Sequence, residues 1–159
     1  MKKILVMAAV IVAGIAANAA SFKWTASNIY SPTDSTVKLA STTATLYAYA
    51  QSADIGTAIE VATATTTSAG TISQSFTADG LTGGNYYNFY FVIDTGDYTF
   101  TSLTKEGVLA QATSTAAVSF GSMAAQTGAS GNWQSVPEPT SGLLMLLGMA
   151  GLALKRKRA

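Results

Sequence analysis

The 159-residue chain contains no cysteine and no histidine. Without cysteine there is no disulfide framework, so stability must come from core packing. Without either residue, Ser/His/Asp and Cys/His catalysis are excluded within the chain, as are zinc sites with thiolate or imidazole ligands. Charge is sparse, at 11% of residues, and unevenly placed. Lys2, Lys3, Lys155, Arg156, Lys157 and Arg158 stand at the two ends. Between residues 20 and 136 there are three lysines (Lys23, Lys38, Lys105) and seven acids (Asp34, Asp54, Glu60, Asp79, Asp94, Asp97, Glu106). That part therefore carries −4, where the whole chain carries +1. A mildly acidic domain with no basic stripe is not expected to take nucleic acid as a partner. There is no Asn-x-Ser/Thr sequon and no internal repeat.

The two ends read as targeting segments. Residues 1–19 have the form of a secretory signal peptide. Lys2 and Lys3 make the positive start, residues 4–17 make a short apolar helix, and Ala17-Asn18-Ala19 offers small residues where signal peptidase reads them. Cleavage is expected before Ala20. Residues 136–159 hold three parts in fixed order: Val136-Pro137-Glu138-Pro139, an apolar run over 142–154, and the basic cluster Lys155, Arg156, Lys157, Arg158. Proline fixes φ and lacks an N–H, so a helix cannot run back through the first part. Thr140 or Ser141 can cap a new helix over the apolar run. The four cations resist crossing a bilayer and hold that end in the cytoplasm. Thirteen residues span only about 20 Å as a helix, against about 30 Å of hydrocarbon. The run can hold a precursor in the membrane but makes a poor permanent anchor.

This order resembles the PEP-CTERM sorting signal. The resemblance implies an exported protein of Gram-negative type, cut near the Pro-Glu-Pro motif by an exosortase, an integral-membrane transpeptidase. Many such proteins come from organisms that make extracellular polysaccharide. Localisation in the cell envelope, on the outer surface or outside the cell follows, with the precursor held in the inner membrane. The resemblance covers 136–159 and is silent on the exported part.

Residues 20–135 read as one exported domain. They are rich in Thr, Ser, Ala and Gly, and several runs alternate with period two. Within 37–51, Leu46, Ala48 and Ala50 share one face, and Thr45, Tyr47 and Tyr49 the other. Residues 58–65 alternate as a strand, although Ile55 and Ile59 are also spaced for a short helix. Ile72, Gln74 and Phe76 share a face, as do Ala116, Val118 and Phe120. Turn signals separate the runs: 54–56, 68–70, Asp79-Gly80, Gly83-Gly84, Thr95-Gly96, Gly128 and Gly131. This spacing predicts an all-β, antiparallel β-sandwich, flanked by the signal helix and the C-terminal hydrophobic helix. The clearest element is a hairpin over 86–102. Tyr87, Phe89, Phe91 and Ile93 line one face, 94–97 make the turn, and Ile93 is expected opposite Tyr98 with Phe91 opposite Phe100. Leu81 and Gly83-Gly84 ahead of the hairpin resemble the approach to a strand in fibronectin-like sandwiches.

Two constellations bear on chemistry. Asp94-Thr95-Gly96, preceded by Phe91-Val92-Ile93, resembles the Asp-Thr-Gly of aspartic proteases, where paired aspartates share a proton and activate water. Those enzymes have Ala or Ser after the glycine, and this chain has Asp97. Asp and Gly are also the residues a hairpin turn favours. Asp94 and Asp97 could serve Ca²⁺, but two acids do not specify a site. Separately, Tyr47, Tyr49, Tyr86 and Tyr90 fall on faces opposite the predicted core, where an aromatic row can stack on sugar rings or simply pack. Trp24 and Trp133 are expected to pack in the core or at an edge. The sequence thus points to a non-enzymatic surface or matrix protein without a cofactor. The alternatives are a polysaccharide-binding sandwich and an aspartic-protease-like enzyme.

Overall fold

A computed structural model describes residues 19–128 and 131–136. Ala17, Pro137, Glu138, Pro139, the apolar run 142–154 and the cluster Lys155, Arg156, Lys157, Arg158 lie outside the described residues, as do both expected terminal helices. The elements are β1 (Ala19–Ser27), β2 (Thr43–Ala50), β3 (Ile59–Thr65), β4 (Ile72–Thr82), β5 (Tyr86–Asp94), β6 (Tyr98–Thr101), β7 (Lys105–Leu109), β8 (Thr115–Ser122), a one-turn helix α1 (Ala124–Thr127) and β9 (Trp133–Ser135). Ile55–Thr57 forms a single 3₁₀ turn, and the strand follows it at Ile59.

The strands form two sheets. One has the order β4-β1-β8; the other runs β3-β2-β5-β6-β9, with β7 also paired to β5. The sheets face each other through aromatic side chains. Phe22 of β1 meets Phe89 of β5 at 5.3 Å, Trp24 meets Phe91 at 5.5 Å, and Phe120 of β8 meets Phe91 edge-on at 4.9 Å. Strict alternation explains which residues reach this layer. Ala20, Phe22, Trp24 and Ala26 of β1 are buried, as are Tyr87, Phe89, Phe91 and Ile93 of β5. On β2, Ala44, Leu46 and Ala48 are buried, while Ala50 is exposed at the strand's end.

Three expectations are corrected. First, the pairing is not wholly antiparallel. β1 lies parallel to β8, with Phe22 opposite Ala116 and Trp24 opposite Val118. A parallel pair needs a long crossover, and here the chain between β1 and β8 supplies one, building most of the other sheet and adding β4 to this one. Second, Asp79-Gly80 is not a turn; both residues lie inside β4. Ala19 pairs with Thr82 and Ala20 with Ala78, so β4 bulges between them. The bulge is why Ala78 and Leu81, three apart, are both buried, which unbroken alternation forbids. Third, Ile93 pairs with Phe100, not Tyr98, and Asp94 with Thr99. Tyr98 begins β6 but is held by Thr95, whose hydroxyl accepts from the Tyr98 N–H at 3.1 Å and donates to its carbonyl at 3.0 Å, so its ladder partner is Ser135 of β9 and not Ile93. The displacement keeps the faces, because side chains alternate with period two. Phe91 and Phe100 still meet, at 5.8 Å.

The register also places Ala20 and Val136. Phe22 sits on Phe89 and Trp24 on Phe91, so β1 runs in the same direction as β5. Ala20 therefore lies at the Tyr86 end of the stack. Val136 lies at the other end, where its N–H donates to the Asp97 carbonyl at 2.8 Å.

Candidate functional site

The last described strand, an edge strand, precedes the segment expected to hold the sorting signal. β9 has only three residues and pairs with β6, Trp133 opposite Phe100 and Ser135 opposite Tyr98. Trp133 is half-buried and packs on the Phe100 ring at 5.4 Å. With the Val136–Asp97 hydrogen bond, the body grips the chain as far as the first residue of the expected motif. Val136 itself is 41% exposed. Pro137, the next residue, has no N–H and cannot extend the ladder. At the other end, Ala19 is the first residue of β1 and pairs with Thr82, and Ala20 is fully buried.

Asp94-Thr95-Gly96 is occupied in making the β5–β6 turn. The Asp94 carboxylate accepts the Gly96 N–H at 2.8 Å, and Gly96 takes a left-handed φ of 90°. Thr95 closes the turn through its N–H to the Tyr98 carbonyl at 2.9 Å. Both Asp94 and Asp97 are exposed. Among the described residues, no group of three or more acidic side chains converges.

The tyrosines divide. Tyr47 and Tyr90 are a direct cross-strand pair on the outer face of the larger sheet and stack at 5.2 Å, 13° from parallel. Tyr49 leans on Tyr90 at 6.5 Å. Burial, and then the neighbouring Tyr47 and Tyr49 phenols, push the Tyr90 hydroxyl above the ordinary tyrosine value. Tyr86 stands apart from this cluster and is 51% exposed. It borders an open groove of about 610 Å³ lined by Ala50, Gln51, Ser52, Asn85, Tyr86 and Tyr87. Pairing of β2 with β5 creates it: Ala50 lies opposite Tyr87, and the Gln51 N–H donates to the Tyr86 carbonyl at 3.1 Å. Tyr87 is buried beneath, its hydroxyl accepting the Thr82 N–H at 2.9 Å. Gln51, Ser52 and Asn85 are residues that sequence reasoning did not single out. They are polar residues at strand ends, and only strand pairing brings them together.

Residues 135–158 match the family model of the PEP-CTERM protein-sorting motif. This chain carries a PEP-CTERM sorting signal. The match starts at the last residue of β9, so the PEP-CTERM segment follows the folded body directly. Such a signal marks an exported protein whose precursor is held at the membrane and processed by an exosortase. No curated protein and no solved structure matches the chain.

Proposed function

We propose that the protein is a non-enzymatic component of the cell surface or extracellular matrix, a single β-sandwich over 20–135 released from its precursor by an exosortase. The observation that carries this reading is the PEP-CTERM match beginning where the last strand ends. In it, signal peptidase cuts between Ala19 and Ala20, with Ala17 and Ala19 as the small residues it reads. The exosortase recognises Val136-Pro137-Glu138-Pro139. Its rigid backbone has few conformations to lose on binding. Lys155, Arg156, Lys157 and Arg158 keep the far end in the cytoplasm. Destination on the outer surface or beyond follows from loss of a segment too short to be a lasting anchor.

The non-enzymatic part of the reading draws on the Asp94 geometry. A catalytic carboxylate dyad needs a second aspartate at contact distance and shelter from water. Asp94 is instead exposed and bonded to its own turn. A second reading, a sandwich that holds polysaccharide, draws on the exposed Tyr86 and its groove.

Replacing Pro137-Glu138-Pro139 with three alanines tests the sorting reading. The variant should accumulate as an exported, membrane-held precursor about 2 kDa heavier than the mature form, by the length of the retained tail. Intact-mass analysis of protein recovered from the native host reads this out. Release of the variant as efficiently as wild type would show that the motif does not direct processing.

A further inference from the structure

We propose that the groove of Gln51, Ser52, Asn85 and Tyr86 is a binding site for a neutral glycan, on the pole of the domain away from the sorting tail. The inference rests on the polysaccharide-binding reading and gives it a location and a ligand class.

The chemistry of the lining selects the ligand. None of the six lining residues carries a charge. An ionic ligand would find no counter-charge in the groove, and a wholly apolar ligand would strip water from two amides and a hydroxyl without replacing their hydrogen bonds. A pyranose fits both features. Its C–H face stacks on an aromatic ring, and its hydroxyls exchange bonds with side-chain amides, each of which donates and accepts. Tyr86 supplies an exposed ring; Gln51, Asn85 and Ser52 supply exposed polar groups around it.

The groove is also held in shape. Its floor is fixed by the buried Tyr87 and the bond to its hydroxyl from the Thr82 N–H. Its sides are fixed by the β2–β5 ladder, and behind Gln51 stands Gly107 of β7, whose φ is +65° and whose N–H donates to Asn88 Oδ1 at 3.0 Å. A Cβ on Gly107 would stand 3.6 Å from Gln51 Nε2, so the Gln51 amide lies over this kink. Binding to a preformed site loses little conformational entropy. From the groove, Tyr49, Tyr90 and Tyr47 continue along the same outer face. Four residues at a strand's rise reach about 13 Å, enough for a chain of rings and not only one.

Position completes the argument. The groove lies at the end of β5 where Tyr86 begins it; Val136 leaves from the end where Asp97 lies. Nine residues of β5 put these about 30 Å apart. A protein held or attached through its tail end therefore presents the groove outward.

The test uses the processed protein recovered from its host, titrated by calorimetry with cellohexaose, mannohexaose and maltohexaose, and with polygalacturonate as a charged comparator. At least one neutral hexaose should bind, with little change between low and high salt. Tyr86→Ala should weaken that binding about tenfold or more, Tyr86→Phe should keep it within about threefold, and Gln51→Ala should weaken it several-fold. Circular dichroism on each variant verifies the fold. No binding to any of the three hexaoses, or tighter salt-sensitive binding to polygalacturonate, overturns both the site and the glycan reading. Hexaose binding unchanged in a folded Tyr86→Ala variant overturns the site alone. Normal processed mass in these variants leaves the sorting signal outside the question.

Discussion

Phe91 joins the two sheets at the scale of a single side chain. It is fully buried and meets Trp24, Phe100 and Phe120. Truncation loses the transfer energy of a ring and leaves a cavity shared by three neighbours. Phe91→Ala should therefore cost about 3–5 kcal/mol in urea unfolding. A loss below about 1 kcal/mol would mean that the layer collapses around the gap or that Phe91 does not fill it. Tyr90 makes a different prediction, on the outer face. Burial and its tyrosine neighbours raise its folded-state value, while the unfolded chain titrates near the ordinary value of 10.0. Its contribution to stability is present below pH 10 and is lost as pH rises through the folded value. Tyr90→Phe should thus lessen the alkaline loss of stability, seen as a smaller drop in the urea midpoint between pH 9 and pH 11. An equal or larger drop would show that Tyr90 is not a source of that loss.

The β5–β6 turn is the element in which two readings of one tripeptide meet. In the aspartic-protease reading, Asp94 needs its charge. In the turn, it needs only an acceptor for the Gly96 N–H, which an amide oxygen also provides. Asp94→Asn should leave stability within about 0.5 kcal/mol, while Asp94→Ala should cost about 1 kcal/mol for the lost bond. Acid-dependent proteolysis by the wild-type protein, abolished in Asp94→Asn, would establish catalysis instead. The buried faces of β5 and β6 follow from alternation alone, and the structure bears them out. The turn's length does not follow, because Tyr98 could stand opposite Ile93 or be held by Thr95. Side-chain and backbone bonds between Thr95 and Tyr98 accompany the second arrangement, and residue propensities do not encode them. β1 is a related case. Ala20, Phe22, Trp24 and Ala26 alternate cleanly, yet they adjoin a leader of similar apolar composition, which hides the strand's start in the sequence.

The whole molecule has no disulfide to lean on, and its stability rests on one core between two sheets. The protein recovered from its host should unfold in a single cooperative transition, unmoved by reducing agent, with a far-UV spectrum typical of strands. A spectrum dominated by helix, or two separated transitions, would contradict this architecture. The two poles of the described body differ in what they carry. One receives the chain at β1 and bears the groove; the other carries Asp97, β9 and the departure of the sorting segment.

The sequence by itself determined the address and the kind of fold. Charges at the ends, apolar runs, small residues before Ala20 and the Pro137-Glu138-Pro139 break are local features, and period-two alternation is a local signature of strands. Tertiary structure alone decided which strands are neighbours. The parallel match of β1 with β8, the bulge at Asp79-Gly80 and the meeting of Gln51 with Tyr86 arise from contacts far apart in sequence. Their free energies come from burying a shared core, which no single segment encodes. The groove belongs to this second class: its residues lie on two strands and the turns beside them, and only pairing of β2 with β5 makes them one surface.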